Sequence, residues 1–112
     1  MEEYDLLQQL QLMDKQLRNS LKQLRENGTA YAAAERDYKK TLAHECFKMR
    51  SEGYPVTLIE KTCYGVDAVA DLRFQRDIAE AVYKANIEAI NVLKLEMRLL
   101  EEQIEREWNN TK

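Results

Sequence analysis

The sequence predicts an all-α fold: a long antiparallel, coiled-coil-like helical hairpin with a short helix at its tip, dimerising into a helical bundle. Three observations carry that prediction. Two of the three glycines and the only proline fall within "SEGYPVTLIEKTCYGVD", residues 51–67. The segments on either side place apolar residues at steps of three and four, which gathers them on one helical face. The segment after the tip also carries more apolar surface than one neighbouring helix covers.

A first helix is expected over residues 2–52. Leu6, Leu10, Met13, Leu17 and Leu24 step along it by fours and threes, interrupted at Ser20, and Leu7 and Leu21 widen the stripe. Asn27-Gly28 suits either a C-terminal cap or a flaw costing ~1 kcal/mol inside a continuous helix. Leu24, Tyr31 and Tyr38 keep the seven-residue step across the glycine, which selects the continuous helix. Gly53 then supplies a left-handed residue just past the helix end, with Tyr54 placed to lie against Met49. Pro55 bars further helix.

Thr57 to Glu60 has the S/T-x-x-E form of a capping box, so a tip helix is expected over about 58–64. Gly65 is read as a second left-handed stop, and Asp67 as the cap of a last helix over 67–108. Such a helix, ~63 Å long at 1.5 Å per residue, exposes too much apolar surface to stand alone. One of its stripes runs through Ile90, Leu93, Met97, Leu100 and Ile104. A second, offset stripe runs through Phe74, Ile78, Ala81, Ala85, Ala89, Val92 and Leu99. A hairpin buries one stripe, and the other asks for a second copy. The expected oligomer interface comprises Leu6, Leu7, Leu10, Leu17, Phe74 and Ile78, with Tyr4, Leu6 and Leu7 overhanging the hairpin.

The totals agree with a small interaction protein. A length of 112 residues predicts one helical domain, 1–112, and 45% hydrophobic against 33% charged residues is neither disordered nor membrane-like. No apolar run approaches the roughly 18 residues that suggest a membrane span. The opening "MEEYDLLQQ" lacks the basic-then-apolar order of a secretory signal, so a cytoplasmic location is expected, with Cys46 and Cys63 as reduced thiols. Seventeen basic against twenty acidic residues, a net charge of −3, speaks against a general nucleic-acid binder.

Chemistry is sparse. His44-Glu45-Cys46 crowds ligand types together, yet neighbours on a helix project about 100° apart and do not converge on one ion. No metal site is expected. One histidine, no nucleophile–base constellation and neither GxxxxGK nor GxGxxG leave no catalytic residue and no cofactor to assign. The carboxylates of "LEEQIEREW" alternate with Arg98 and Arg106. Asp14–Arg18, Glu35–Lys39, Glu80–Lys84 and Glu102–Arg106 share the i, i+4 arrangement of a solvated helix face. "LIEKTCYGVDAVADLR" has the outline of a helix-turn-helix, but Glu60, Lys61 and Asp71 put charges where that motif buries apolar groups.

The phrases "YPVTLIEK" and "VADLRFQRDIAEAVYKANIEAINVLKLEMRLLEEQIEREW" resemble small all-helical proteins of phages and prophages of Gram-positive bacteria. The resemblance covers roughly residues 54–108 and contains no catalytic motif. It implies a compact accessory protein that acts inside the host cell by binding another molecule.

The function expected on these grounds is non-enzymatic: the protein binds, and scaffolds or inhibits, a phage or host protein such as a defence or replication factor. The expected contacts are Tyr54, Val56, Leu58, Cys63 and Tyr64, which put apolar bulk where a hairpin buries it least. The alternative is a nucleic-acid accessory protein that meets phosphate through Lys39, Lys40, Arg73 and Arg76.

Overall fold

A computed structural model describes residues 3–111, and the side chains of 4–110. The chain is all-α, a helical hairpin built from α1 (Glu3–Ser51), α2 (Val56–Thr62), a 3-10 turn (Cys63–Gly65) and α3 (Asp67–Thr111). Helix α1 passes through Asn27-Gly28 without interruption. The described residues divide into two compact units, one pairing 3–26 with 84–111 and the other comprising 27–83.

In the first unit, α1 and α3 run antiparallel. Leu6 and Leu100 line one groove, Leu10 and Met97 line another, and Ser20 meets Asn86, so the register falls on one helix as it rises on the other. Leu6, Ile90 and Leu100 are buried, and Leu10, Met13, Leu17, Leu24, Leu93, Met97 and Ile104 are half-buried. This three-and-four spacing is that of a coiled-coil seam. Leu6 does not overhang: at 1% exposure it is a core residue. Of the other expected oligomer contacts on α1, Leu10 and Leu17 are half-buried and Leu7 is exposed. One buried polar group interrupts the seam. Asn86 Nδ2 donates to the Ser20 carbonyl oxygen at 3.2 Å, which satisfies the amide where a leucine would otherwise stand.

The second unit contains the chain reversal. Helix α1 ends because Gly53 takes φ +89°, the left-handed region that costs glycine least. Tyr54 N–H donates to the Met49 carbonyl and Gly53 N–H to the Arg50 carbonyl, each at 3.1 Å, the paired bonds of a Schellman stop. Pro55, with ψ 146°, then starts α2: its carbonyl accepts from the N–H groups of Leu58 and Ile59. The expected capping box does not form. The first helical residue is Val56, so Thr57 already lies inside the first turn and its hydroxyl is past the capping position. Asp67 is shifted in the same sense. Val66 accepts the first bond of α3, from Ala70 at 2.9 Å, and Asp67 stands in the first turn, where its carboxylate still suits the positive end of the helix.

Gly65 also departs from expectation. It closes the 3-10 turn without a positive φ, and a Cβ there would meet open space. A tight turn with right-handed dihedrals does not need glycine. Gly28 matters for packing instead: a Cβ on it would stand 3.2 Å from Tyr83 Cε1, so the bare glycine is what lets that ring approach α1. Tyr83 also faces Tyr31, with ring centroids 5.9 Å apart and tilted by 39°.

The glycines give a direct test. Gly53→Ala should destabilise the protein by about 1–2 kcal/mol, since it forces a side chain into the left-handed region. Gly65→Ala should be neutral or stabilising by about 0.5–1 kcal/mol. Urea unfolding followed by circular dichroism measures both, and an equal loss at the two positions would contradict the assigned turn.

Candidate protein-interaction site

The tip lies wholly within residues 27–83. Its core is Ile59, Cys63 and Val69, all buried. Ile59 and Cys63 are one helical turn apart and share the inward face. Thr62 helps close the turn: its hydroxyl donates to the Leu58 carbonyl at 2.7 Å and lies 3.8 Å from the Met49 sulfur on α1. Around this anchor the large apolar side chains point outward. Tyr54, Val56, Leu58 and Tyr64 are all at least 40% exposed.

Four of the five expected contact residues are thus on the surface. Cys63 is not. At 2% exposure it packs inside the tip, because the step of four from Ile59 turns it inward. The buried role of Ile59 was hidden by its place in a polar phrase, although the Ile59–Cys63 spacing was the signal for it. Phe47, 71% exposed on the last two turns of α1, was missed because it falls off the seam. An aromatic residue off the seam next to a chain reversal is the pattern that identifies it.

Three of the four basic residues, Lys39, Arg73 and Arg76, have local partners. Arg76 keeps only 19% of its side-chain surface; it lies 4.6 Å from the Tyr38 ring centroid, 2.9 Å from Asp77 and 3.8 Å from Glu35. The hydrogen bond to Asp77 pushes its pKa further up, as a guanidinium held by carboxylates requires. Glu35 also holds Lys39 at 3.5 Å, and Tyr31 donates to Glu80 at 3.2 Å. Arg73 stacks 5.5 Å from the Tyr64 ring centroid, which ties a tip aromatic to α3. Lys40 is exposed. Arg76 is therefore a packing residue, and each of Lys39 and Arg76 has a carboxylate beside it.

Among the described residues no group of three or more histidine, cysteine or acidic side chains is placed to hold a metal ion. Glu60, Lys61 and Asp71, the charged residues at the inward positions of a helix-turn-helix, are exposed. No described helix is long and apolar enough to cross a membrane. No protein-family model, curated protein or solved structure matches the chain.

Core and surface positions of the tip should separate cleanly. Ile59→Ala should cost about 2–4 kcal/mol through the cavity it leaves. Val56→Ser and Leu58→Ser should stay within about 1 kcal/mol, as exposed substitutions do. Chemical denaturation distinguishes the two groups, and comparable losses would show that the outward residues belong to the core.

Proposed function

We propose that this chain is a non-enzymatic helical interaction protein of the phage-accessory type, which binds another protein through its tip and acts by scaffolding or by occluding that partner. The observation that carries the reading is the exposure of Tyr54, Val56, Leu58 and Tyr64 around a buried anchor. Aromatic side chains fixed on a rigid support lose little entropy on binding and tend to dominate interface energies. The nucleic-acid alternative is less well supported, since Arg76 and Lys39 are engaged with carboxylates.

The reading includes a dimer. In the unit comprising 27–83, α3 leaves Phe74 65% and Ile78 48% exposed, and in the other unit it leaves Val92, Leu95 and Leu99 each at least half exposed. Apolar residues at such spacing on a helix already seamed to one neighbour are what a second helical surface covers. Light scattering at micromolar concentration should return at least twice the 13.2 kDa chain mass. A folded monomer under those conditions would remove the dimer from the proposal.

The tip is tested by capture of a partner from host lysate with immobilised protein. Tyr54→Ala combined with Tyr64→Ala should abolish capture while leaving helicity intact. Lys39→Glu combined with Lys40→Glu should change it little, and capture should persist at raised salt. Loss of capture on charge reversal, with a steep salt dependence and no effect of the tyrosines, would instead favour phosphate contact.

A further inference from the structure

Helix α3 carries two apolar seams, and only one is covered. The covered seam includes Ile90, Met97 and Leu100, which are buried or half-buried. The bare one begins at Phe74 and steps by fours and threes through Ile78, Ala81 and Ala85. It continues without a break through Glu88, Val92 and Leu95 to Leu99. All of these residues are exposed, and the five large apolar ones keep between 48% and 65% of their surface. Because α3 is unbroken from Asp67 to Thr111, that spacing alone places them on one side of the helix. A strict seven-residue repeat of this kind is the seam of a helix that meets another helix, and Glu88 is its one polar member.

We infer that the helix covering this seam is α3 of a second copy, paired antiparallel about a two-fold axis between Asn86 and Ile87. The inference rests on the dimer reading above and fixes its surface, direction and register. The two-fold sets Phe74 against the second copy's Leu99, and Ile78 against its Leu95. Ala81 then meets Val92, and Ala85 meets Glu88, each contact occurring twice as a two-fold requires. Large side chains fall opposite large ones at the ends, and the alanines leave room for Val92 and for the stem of Glu88.

Other arrangements fit less well. A parallel pair would stack Ala81 and Ala85 on their own copies, leaving gaps, and would bring the two Glu88 carboxylates into one layer. An antiparallel pair slipped by one heptad would set Leu95 opposite Asp71 and Leu99 opposite Asp67. Charge agrees with the register chosen. At the flank of the seam Asp77 of each copy lies beside Arg98 of the other, a pair of opposite sign made twice. Both side chains are accessible for it: Asp77 keeps 56% of its surface, and Arg98 is exposed. Arg76 donates to Oδ1 of Asp77, and a carboxylate has a second oxygen to offer.

Sedimentation equilibrium of the full-length chain tests the pairing, with circular dichroism confirming that each variant is folded. Ile78→Lys and Leu95→Lys each act twice in the interface and should raise the dissociation constant about a hundredfold or more. Leu12→Lys, at an equally exposed leucine of α1, should leave it within about threefold. Asp77→Lys alone and Arg98→Glu alone should each weaken association about tenfold, since each sets like charges together twice. Mixing those two variants should restore dimers with one chain of each kind, because both flanking pairs then have opposite signs. Should a lysine variant at the seam unfold, the mixture decides the matter. Dimers that survive both seam variants, or a mixture that associates no better than its components, would overturn this pairing while leaving a dimer in place. A wild-type chain that stays monomeric at micromolar concentration would overturn the pairing and the dimer together.

Discussion

The end of α1 is the constraint on which the tip depends. A helix of 49 residues has no reason of its own to stop at Ser51. Gly53 provides one, because its left-handed φ lets two backbone amides turn back onto the Met49 and Arg50 carbonyls. Pro55 by itself would only forbid further helix; it would not aim the chain. With the aim set by Gly53, Pro55 presents its carbonyl to Leu58 and Ile59, and α2 starts in a direction that carries Ile59 and Cys63 inward. The burial of Cys63, the Thr62–Met49 approach and the outward tyrosines all follow from that stop.

The two units hold their helices together by different chemistry. In the unit formed by 3–26 and 84–111 the seam is mostly leucine, isoleucine and methionine, and a fully buried side chain such as Leu6 is worth about 1.5–3 kcal/mol. Leucines alone tolerate sliding. The Asn86–Ser20 bond opposes it: the amide reaches a backbone carbonyl beside the short Ser20 side chain, whereas a slip of one heptad would set it against the bulkier Met13. In residues 27–83 the packing is aromatic and charged instead: Tyr31 faces Tyr83, and Arg76 lies over Tyr38 between Glu35 and Asp77. There each planar group has one partner that fits it, so register is specified by many contacts rather than by one.

What the sequence disclosed, and what it hid, follows from how local each signal is. The stop at Gly53 was legible because glycine, tyrosine and proline fall at consecutive positions that each have one role. The seams were legible because a three-and-four step repeats many times and tolerates interruptions at Ser20 and Asn86. The capping box at Thr57 was misread by two residues and the cap at Asp67 by one: the motif is defined by side chains, but the helix start is set by the backbone angles of Pro55 and Val66. Gly65 was misread because glycine permits a positive φ without requiring it. The sides taken by Leu6 and Cys63 depend on which neighbour each helix meets, and no single helix carries that information.

The tip's size decides how it would have to work. Helix α2 has seven residues, and its outward apolar groups are few. Four outward side chains fall short of the roughly 20–30 residues a side of a standard interface, so a tip acting alone would hold its partner weakly. Two features work against that weakness. Phe47 lies on α1 just ahead of the stop, within the same unit, and adds a further exposed aromatic side chain. A dimer, in addition, presents two tips, so a partner with two matching sites would be held by the second once the first is engaged. Affinity would then depend on the covering of the exposed α3 face, which is separate from the tip's own apolar residues. The surface that makes the dimer and the surface that meets the partner would be coupled through concentration, with no change of shape required.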